Sequence, residues 1–172
     1  MNDFNRKLYG REWGEGEYAE APVHGNTQIY KGDLLFLDRI DGLRNKGTSS
    51  ADYYIYPFSL VSGSTRTLES NKLLAGQNFI GVATWHSDSG VTENIGIHID
   101  GLFRYPLKNS RMLRTSYKVV PAGSGVTCYN QRVATESGSS SLIGVVANSG
   151  KFQSEVEMSI LTLFASETRY QI

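Results

Sequence analysis

The sequence feature that most constrains the fold is a short strand motif that occurs twice in the same arrangement. Residues 80–82 and residues 143–145 both read Ile-Gly-Val, and each motif is followed by a polar loop and a further apolar strand pattern. Phe103 and Phe164 follow the two isoleucines after 23 and 21 residues. The shared order of elements favours a duplication into two related halves over a chance match between two common motifs.

The spacing of apolar residues predicts β-strands. From Asn94 to Asp100 the isoleucines at 95, 97 and 99 alternate with polar or small residues, as the two-residue period of a half-buried strand requires. Residues 34–37 are all apolar, which predicts a strand buried on both faces. Pro57 indicates a sheet edge or a strand end. We therefore expect an all-β protein, a compact antiparallel β-barrel or β-sandwich.

The composition indicates one domain without strong attraction to polyanions. The chain has 172 residues, which suffice for one core, and its 17 Lys and Arg balance its 17 Asp and Glu. Cys128 is the single cysteine, so no intramolecular disulfide forms, and assembly in a reducing cytoplasm is expected. Because no apolar stretch approaches the length of a membrane span, we expect a soluble protein that is not exported.

The composition of residues 1–27 predicts a docking arm, which precedes a single β domain at 28–172. Glycines interrupt any helical stripe in this segment, so it cannot cover its own aromatic side chains. A disordered tail is the alternative, although such tails are poor in aromatic residues. The residues expected to bind a partner are Phe4, Tyr9, Trp13 and Tyr18.

The charge pattern of residues 104–118 predicts a basic linker between the two halves. The halves span about 28–106 and 115–172. The linker stretch contains no Asp or Glu, and it has two interleaved tyrosines. It is a solvated loop or a patch for an acidic partner, with single-stranded nucleic acid as the weaker option. The glutamates of the arm would complement it in a second copy. The candidate partner-binding residues are Arg104, Lys108, Arg111, Arg114 and Lys118.

The residues that could support catalysis do not form a recognisable site, and we expect no enzyme, cofactor or metal. If residues 86 and 98 belong to one hairpin, His86 lies in its loop, roughly 16 Å from His98, which is too far for shared metal coordination. Asp100 shares a face with His98, but two ligands are too few. Cys128 has no histidine near it in sequence, which favours a buried and inert thiol. An enzyme whose site combines several subunits is a remaining alternative.

Several short motifs resemble the capsid decoration, or cement, proteins of tailed bacteriophages. Gly-Asp-Leu-Leu at 32–35 opens the domain, and Ile-Gly-Val-Ala at 80–83 precedes Ile-His-Ile-Asp-Gly-Leu-Phe at 97–103. The second copy is Ile-Gly-Val-Val at 143–146. The resemblance covers roughly residues 29–164, and the loop at 38–52 and the aromatic arm depart from it.

The resemblance implies a structural protein on the outer surface of a virion, made in the host cytoplasm. Such a protein is a homo-oligomer, here a trimer or a dimer, that bridges neighbouring major capsid subunits and stabilises the shell. No catalytic residue comes with this family. The alternative is a ligand- or carbohydrate-binding β module of a phage tail or a cell surface, with exposed aromatic residues such as Trp85 or Tyr53 as its contacts.

Overall fold

The computed structural model describes residues 18–38, 54–62, 66–137, 140–148 and 150–162, and strands dominate this part of the chain. The all-β prediction is confirmed in this broad sense. The elements are β1 (Tyr18–Pro22), β2 (Leu34–Asp38), β3 (Tyr54–Pro57), a 3₁₀ turn (Phe58–Leu60), α1 (Leu68–Gln77), β4 (Phe79–Ala83), β5 (Asn94–His98), β6 (Leu102–Leu113), β7 (Lys118–Ser124), β8 (Thr127–Glu136), β9 (Gly144–Val146) and β10 (Gly150–Ile160).

The first five strands form an antiparallel sheet in the order β1-β5-β4-β2-β3. A bridge between Val23 and Ile55 joins the two edges, so the sheet curls until they meet. Leu34 and Leu35 face opposite sides of β2 and both are fully buried, which confirms the strand predicted to be buried on two faces. Pro57 ends β3 at the sheet edge, as predicted.

The last five strands close into a barrel in the order β10-β6-β8-β7-β9. Most neighbours run antiparallel, whereas β6 and β8 run parallel and meet at Leu107 and Val133. Closure removes the open edges that would otherwise template pairing with other chains.

Two apolar clusters fill the molecule. The smaller cluster lies within the curled sheet and is aliphatic; its buried members are Val23, Ile29, Leu35, Ile55, Ile80, Ala83, Ile95 and Ile97. The larger cluster combines the other face of the sheet with the barrel interior, and it contains Phe36, Phe58, Phe79, Phe103 and Tyr105. The larger core therefore joins the sheet to the barrel.

Helix α1 packs against β7 and β8 and was not predicted from the sequence. Its buried positions are Asn71, Lys72 and Ala75, so it has no apolar stripe that would reveal it. Thr67 and Ser70 cap its first turn reciprocally, and Lys72 forms ion pairs with Glu69 and Glu136. No helix in the described ranges combines the length and the apolar character that a membrane span requires.

The prediction of a basic linker is wrong in structural terms, because most of residues 104–118 belong to strand β6 and the start of β7. Phe103, Tyr105 and Leu107 are buried while Arg104 and Lys108 are exposed, which is the alternation of a strand with one face in a core. Because the positive charges lie on the outer positions of this strand, they are compatible with its alternation of buried and exposed residues, but they made the strand hard to recognise in the sequence.

Candidate binding surfaces

The residues predicted to form the N-terminal arm divide into two groups. Phe4, Tyr9 and Trp13 lie outside the described residues. Tyr18 begins strand β1, where it pairs with His98. Residues 18–27 therefore belong to the sheet rather than to an arm, since β1 pairs with β5 along its length and Thr27 is buried.

Two of the five basic residues stabilise the barrel itself. Lys108 donates a hydrogen bond from Nζ to the Gly123 carbonyl oxygen at 2.7 Å. Arg111 donates from Nη1 to the Thr135 carbonyl oxygen at 2.6 Å, and its guanidinium lies 4.5 Å from the centre of the Tyr117 ring. Because β6 and β8 are paired at one position, the bond from Arg111 supplies part of the connection that a longer ladder would make, while Lys108 joins β6 to β7.

The other three basic residues do not converge on one patch. Arg104 lies opposite Glu157 on β10, and Lys118 lies opposite Glu136 on β8. Arg114 is exposed just after the end of β6. Arg104 and Arg114 lie towards opposite ends of β6, where the facing stretch of β10 from Glu157 to Gly150 spans roughly 23 Å.

Strands β6 and β10 are interrupted by a wide bulge. Between the pairs Pro106–Glu155 and Arg111–Gln153, strand β6 has four residues and strand β10 has one. A bulge of this kind re-aims the side chains that follow it. Alternation alone would place Phe152 inside with Val156 and Met158, whereas beyond the bulge Phe152 faces solvent.

The two exposed apolar side chains beyond the bulge form a cross-strand pair. Phe152 is 71% exposed and pairs directly with Met112, which is 59% exposed. We call Met112, Phe152 and the exposed basic residue Arg114 the ribbon surface. The sequence signal for its apolar part was hidden, because the position of a bulge cannot be read from alternation.

A second exposed surface lies where two loops meet beside the sheet. Trp85 is 61% exposed and Tyr30 is 42% exposed, and the rings of Trp85 and His86 have their centres 5.4 Å apart. Ile29 and Ser87 exchange two backbone hydrogen bonds of 2.8 and 2.9 Å, which place Tyr30 across from His86. We call Tyr30, Lys31, Trp85 and His86 the aromatic loop surface. Tyr53, the other predicted aromatic contact, lies outside the described residues.

A buried carboxylate joins the sheet to the barrel. Asp33 is 1% exposed; Oδ2 accepts from the Tyr30 backbone N–H at 2.9 Å, and Oδ1 accepts from Gln131 Nε2 on β8 at 2.7 Å. Tyr105 on β6 donates its hydroxyl proton to the Gly32 carbonyl oxygen at 2.8 Å. Burial raises the pKa of Asp33 from 3.8 to about 6, although both hydrogen bonds act in the opposite direction. No motif in the sequence indicated this network.

His86, His98 and Cys128 are among the residues considered from the sequence for metal binding or catalysis. His86 is exposed in its loop, whereas His98 lies on β5 with its ring 5.5 Å from that of Phe103. Cys128 is buried, as predicted, and burial raises the pKa of its thiol to about 11, which favours the unreactive protonated form. Within the described ranges, no group of three or more His, Cys, Asp or Glu side chains could hold a metal ion.

No protein family model matches this sequence, and no curated protein is significantly similar to it.

Proposed function

We propose that this chain is a structural assembly protein of the capsid decoration type, which binds the outer surface of a phage head and bridges neighbouring major capsid subunits. The outward pair of Met112 and Phe152 carries the proposal. Two paired strands of the closed barrel hold these apolar side chains in water, and covering them with another protein surface lowers the free energy. Arg114, two residues after Met112, is exposed and favours an acidic partner.

The proposal includes assembly into a homo-oligomer, a dimer or a trimer, that acts on the virion surface. Each copy contributes one ribbon surface, and contacts that are weak singly add up when several copies bind the same shell. The segment before β1 is the proposed arm. It enters the sheet at Tyr18, so an arm consists of residues 1–17 rather than 1–27.

The proposed duplication has support from the two Ile-Gly-Val motifs. Each lies in or beside a strand, β4 or β9, that pairs antiparallel with the next strand in the chain. A Cβ added to Gly81 would meet the His98 carbonyl oxygen, and one added to Gly144 would lie 2.6 Å from that of Ser159. Both glycines thus permit a close approach by the following strand.

Co-sedimentation with heads assembled from the major capsid protein of the same phage tests the proposal. We expect the double variant Met112→Ser/Phe152→Ser to bind at least tenfold more weakly than the unchanged chain, because it lacks the apolar contact. The matched control is Val126→Ser, which removes an exposed apolar side chain from the turn between β7 and β8. Equal binding by the double variant, or no binding by the unchanged chain, contradicts the proposal.

A chain without residues 1–17 tests the arm separately, because that deletion leaves β1 intact. We expect weaker retention on heads with an unchanged unfolding midpoint. Full retention would remove the arm from the proposed contact and leave the ribbon surface as the binding element.

A ligand-binding module is the second candidate function, and the exposure of Trp85 and Tyr30 is the observation that favours it.

A further inference from the structure

The aromatic loop surface presents two large rings that the fold does not use. Trp85 and Tyr30 are both exposed, while the residues beside them in each loop, Ile29 and Ser87, are buried. Core packing therefore fixes the backbone and leaves the aromatic side chains outside. Exposed aromatic area of this kind is unfavourable in water and becomes favourable when a ligand covers it.

The backbone under these rings is held at both ends. Ile29 and Ser87 bond to each other through both their N–H and C=O groups, and the Gly32 N–H donates to the Ala83 carbonyl oxygen at 2.9 Å. The two loops are thus joined on each side of the aromatic residues. A ligand that binds here orders side chains but not the loops themselves, which lowers the entropic cost of binding.

The polar neighbours of the rings indicate the kind of ligand. Lys31, His86 and Asp88 are exposed on the same two loops and provide hydrogen-bond donors and acceptors. Lys31 and Asp88 have opposite charges, so the surface does not select for a phosphate or a carboxylate. The aromatic area is small and interrupted by polar residues, unlike the contiguous apolar core of a protein interface.

We propose that the aromatic loop surface binds a neutral oligosaccharide, with a pyranose ring stacked on Trp85 and a neighbouring sugar against Tyr30. The C–H bonds on the apolar face of a pyranose carry partial positive charge and meet the negative face of an aromatic ring. The sugar hydroxyl groups would hydrogen-bond to the polar side chains of the same two loops, His86, Lys31 and Asp88. This activity is independent of head binding, since the ribbon surface lies on other strands.

Titration of the full chain with cellohexaose, maltohexaose and chitohexaose, followed by calorimetry and tryptophan fluorescence, tests the proposal. The chain has two tryptophans, so Trp13→Phe leaves Trp85 as the single reporter. We expect saturable binding of at least one hexaose, with a change in Trp85 emission. Trp85→Ala should weaken that binding at least tenfold and Tyr30→Ala three- to tenfold, while Trp13→Phe leaves the affinity unchanged.

Two controls separate this proposal from the assembly function. Trp85 and Tyr30 are exposed, so their alanine variants should keep the unfolding midpoint, and Met112→Ser/Phe152→Ser should bind the sugar as the unchanged chain does. The proposal is overturned if none of the three hexaoses binds saturably, or if Trp85→Ala binds with undiminished affinity.

Discussion

The curled sheet and the closed barrel are held by two cores that differ in composition and in the elements that contribute to them. The smaller, aliphatic cluster belongs to the sheet and its adjoining loops, whereas the larger cluster takes residues from the sheet, the helix and the barrel. Strand β2 shows the difference, since Leu35 faces the first cluster while Leu34 and Phe36 face the second. The barrel therefore relies on the sheet for part of its core, and the small cluster does not draw on the barrel in return.

Removal of a ring from the shared core should have the largest effect on stability. Phe79 on β4 is fully buried with its ring 5.7 Å from that of Phe58. We expect Phe79→Ala to lower the free energy of unfolding by about 3–5 kcal/mol, because it leaves a large cavity between sheet and barrel. Urea unfolding followed by far-UV circular dichroism and tryptophan fluorescence measures this.

The matched control for the aliphatic cluster is Ile97→Val, which should cost about 1 kcal/mol. In both variants the two signals should change in one shared transition. If Phe79→Ala shows two separate transitions with only one displaced, the sheet and the barrel unfold independently and the core is not shared in energetic terms.

The two Ile-Gly-Val motifs provide the next comparison. Gly81 has a φ of +148°, and a Cβ there would meet both the His98 carbonyl oxygen and the Ile97 side chain. Gly144 adopts no positive φ, and its added Cβ would meet the Ser159 carbonyl oxygen at 2.6 Å. We expect Gly81→Ala to cost about 3 kcal/mol and Gly144→Ala about 1–2 kcal/mol, since backbone strain adds to the clash only in the sheet.

Gly125→Ala separates strain from collision in the same unfolding experiment. Gly125 has a φ of +59°, and nothing lies within 4 Å of an added Cβ, so the expected cost is about 1 kcal/mol. A cost for Gly144→Ala equal to or above that for Gly81→Ala would contradict the proposed difference between the two motifs.

Protonation of Asp33, which lies at the junction between the sheet and the barrel, should change the free energy of unfolding. The pKa of this carboxyl group rises from 3.8 to about 6 on folding, so the folded protein binds the proton more tightly than the unfolded chain does. Stability is then greatest below about pH 4 as far as this group is concerned, and it falls as the pH rises through about 6. The loss is on the order of 3 kcal/mol.

Asp33→Asn should remove this dependence, because an amide does not titrate. The free energy of unfolding of the variant, relative to that of the unchanged chain, should improve as the pH rises from 4 to 7. Denaturant unfolding at intervals of half a pH unit measures the difference. A constant difference across that range would show that Asp33 does not change its protonation on unfolding.

A smaller effect than that of Asp33 is expected for the neutral contact in the same junction. Tyr105→Phe removes the hydroxyl that donates to the buried Gly32 carbonyl oxygen, and it should cost about 1–2 kcal/mol at any pH from 5 to 8. Combined with Asp33→Asn it forms a double-mutant cycle. Additive effects would mean that the two contacts stabilise the junction separately, and a coupling above about 0.5 kcal/mol would indicate one network.

The sequence predicted the elements whose burial follows a simple period. Alternation identified Ile95 and Ile97 as the buried face of β5, and continuous apolar character identified β2. Prediction was poor where polar side chains occupy structured positions. Helix α1 buries Asn71 and Lys72, and strand β6 carries basic residues on its outer positions.

The candidate surfaces depended on long-range geometry that local patterns do not encode. Phe152 becomes exposed because strand β6 has extra residues opposite Ser154, which appears only when the register is known. Asp33 and Gln131 are 98 positions apart in the chain, so their contact has no local signature. Trp85 could be named as an exposed aromatic residue, because its loop is polar on both sides.

The pairing of β6 with β10 also has a consequence for how the chain folds during synthesis. All strands of the sheet have been translated by His98, whereas the barrel cannot close until residues 150–160 leave the ribosome. For that interval Phe79 and Phe103 lack the largely aliphatic side chains of the later barrel strands, among them Val156, Met158 and Ile160, which complete the larger core in the finished protein. Late closure through distant strands is intrinsically slow, so the nascent chain passes through a stage in which chaperone binding and premature association compete with folding.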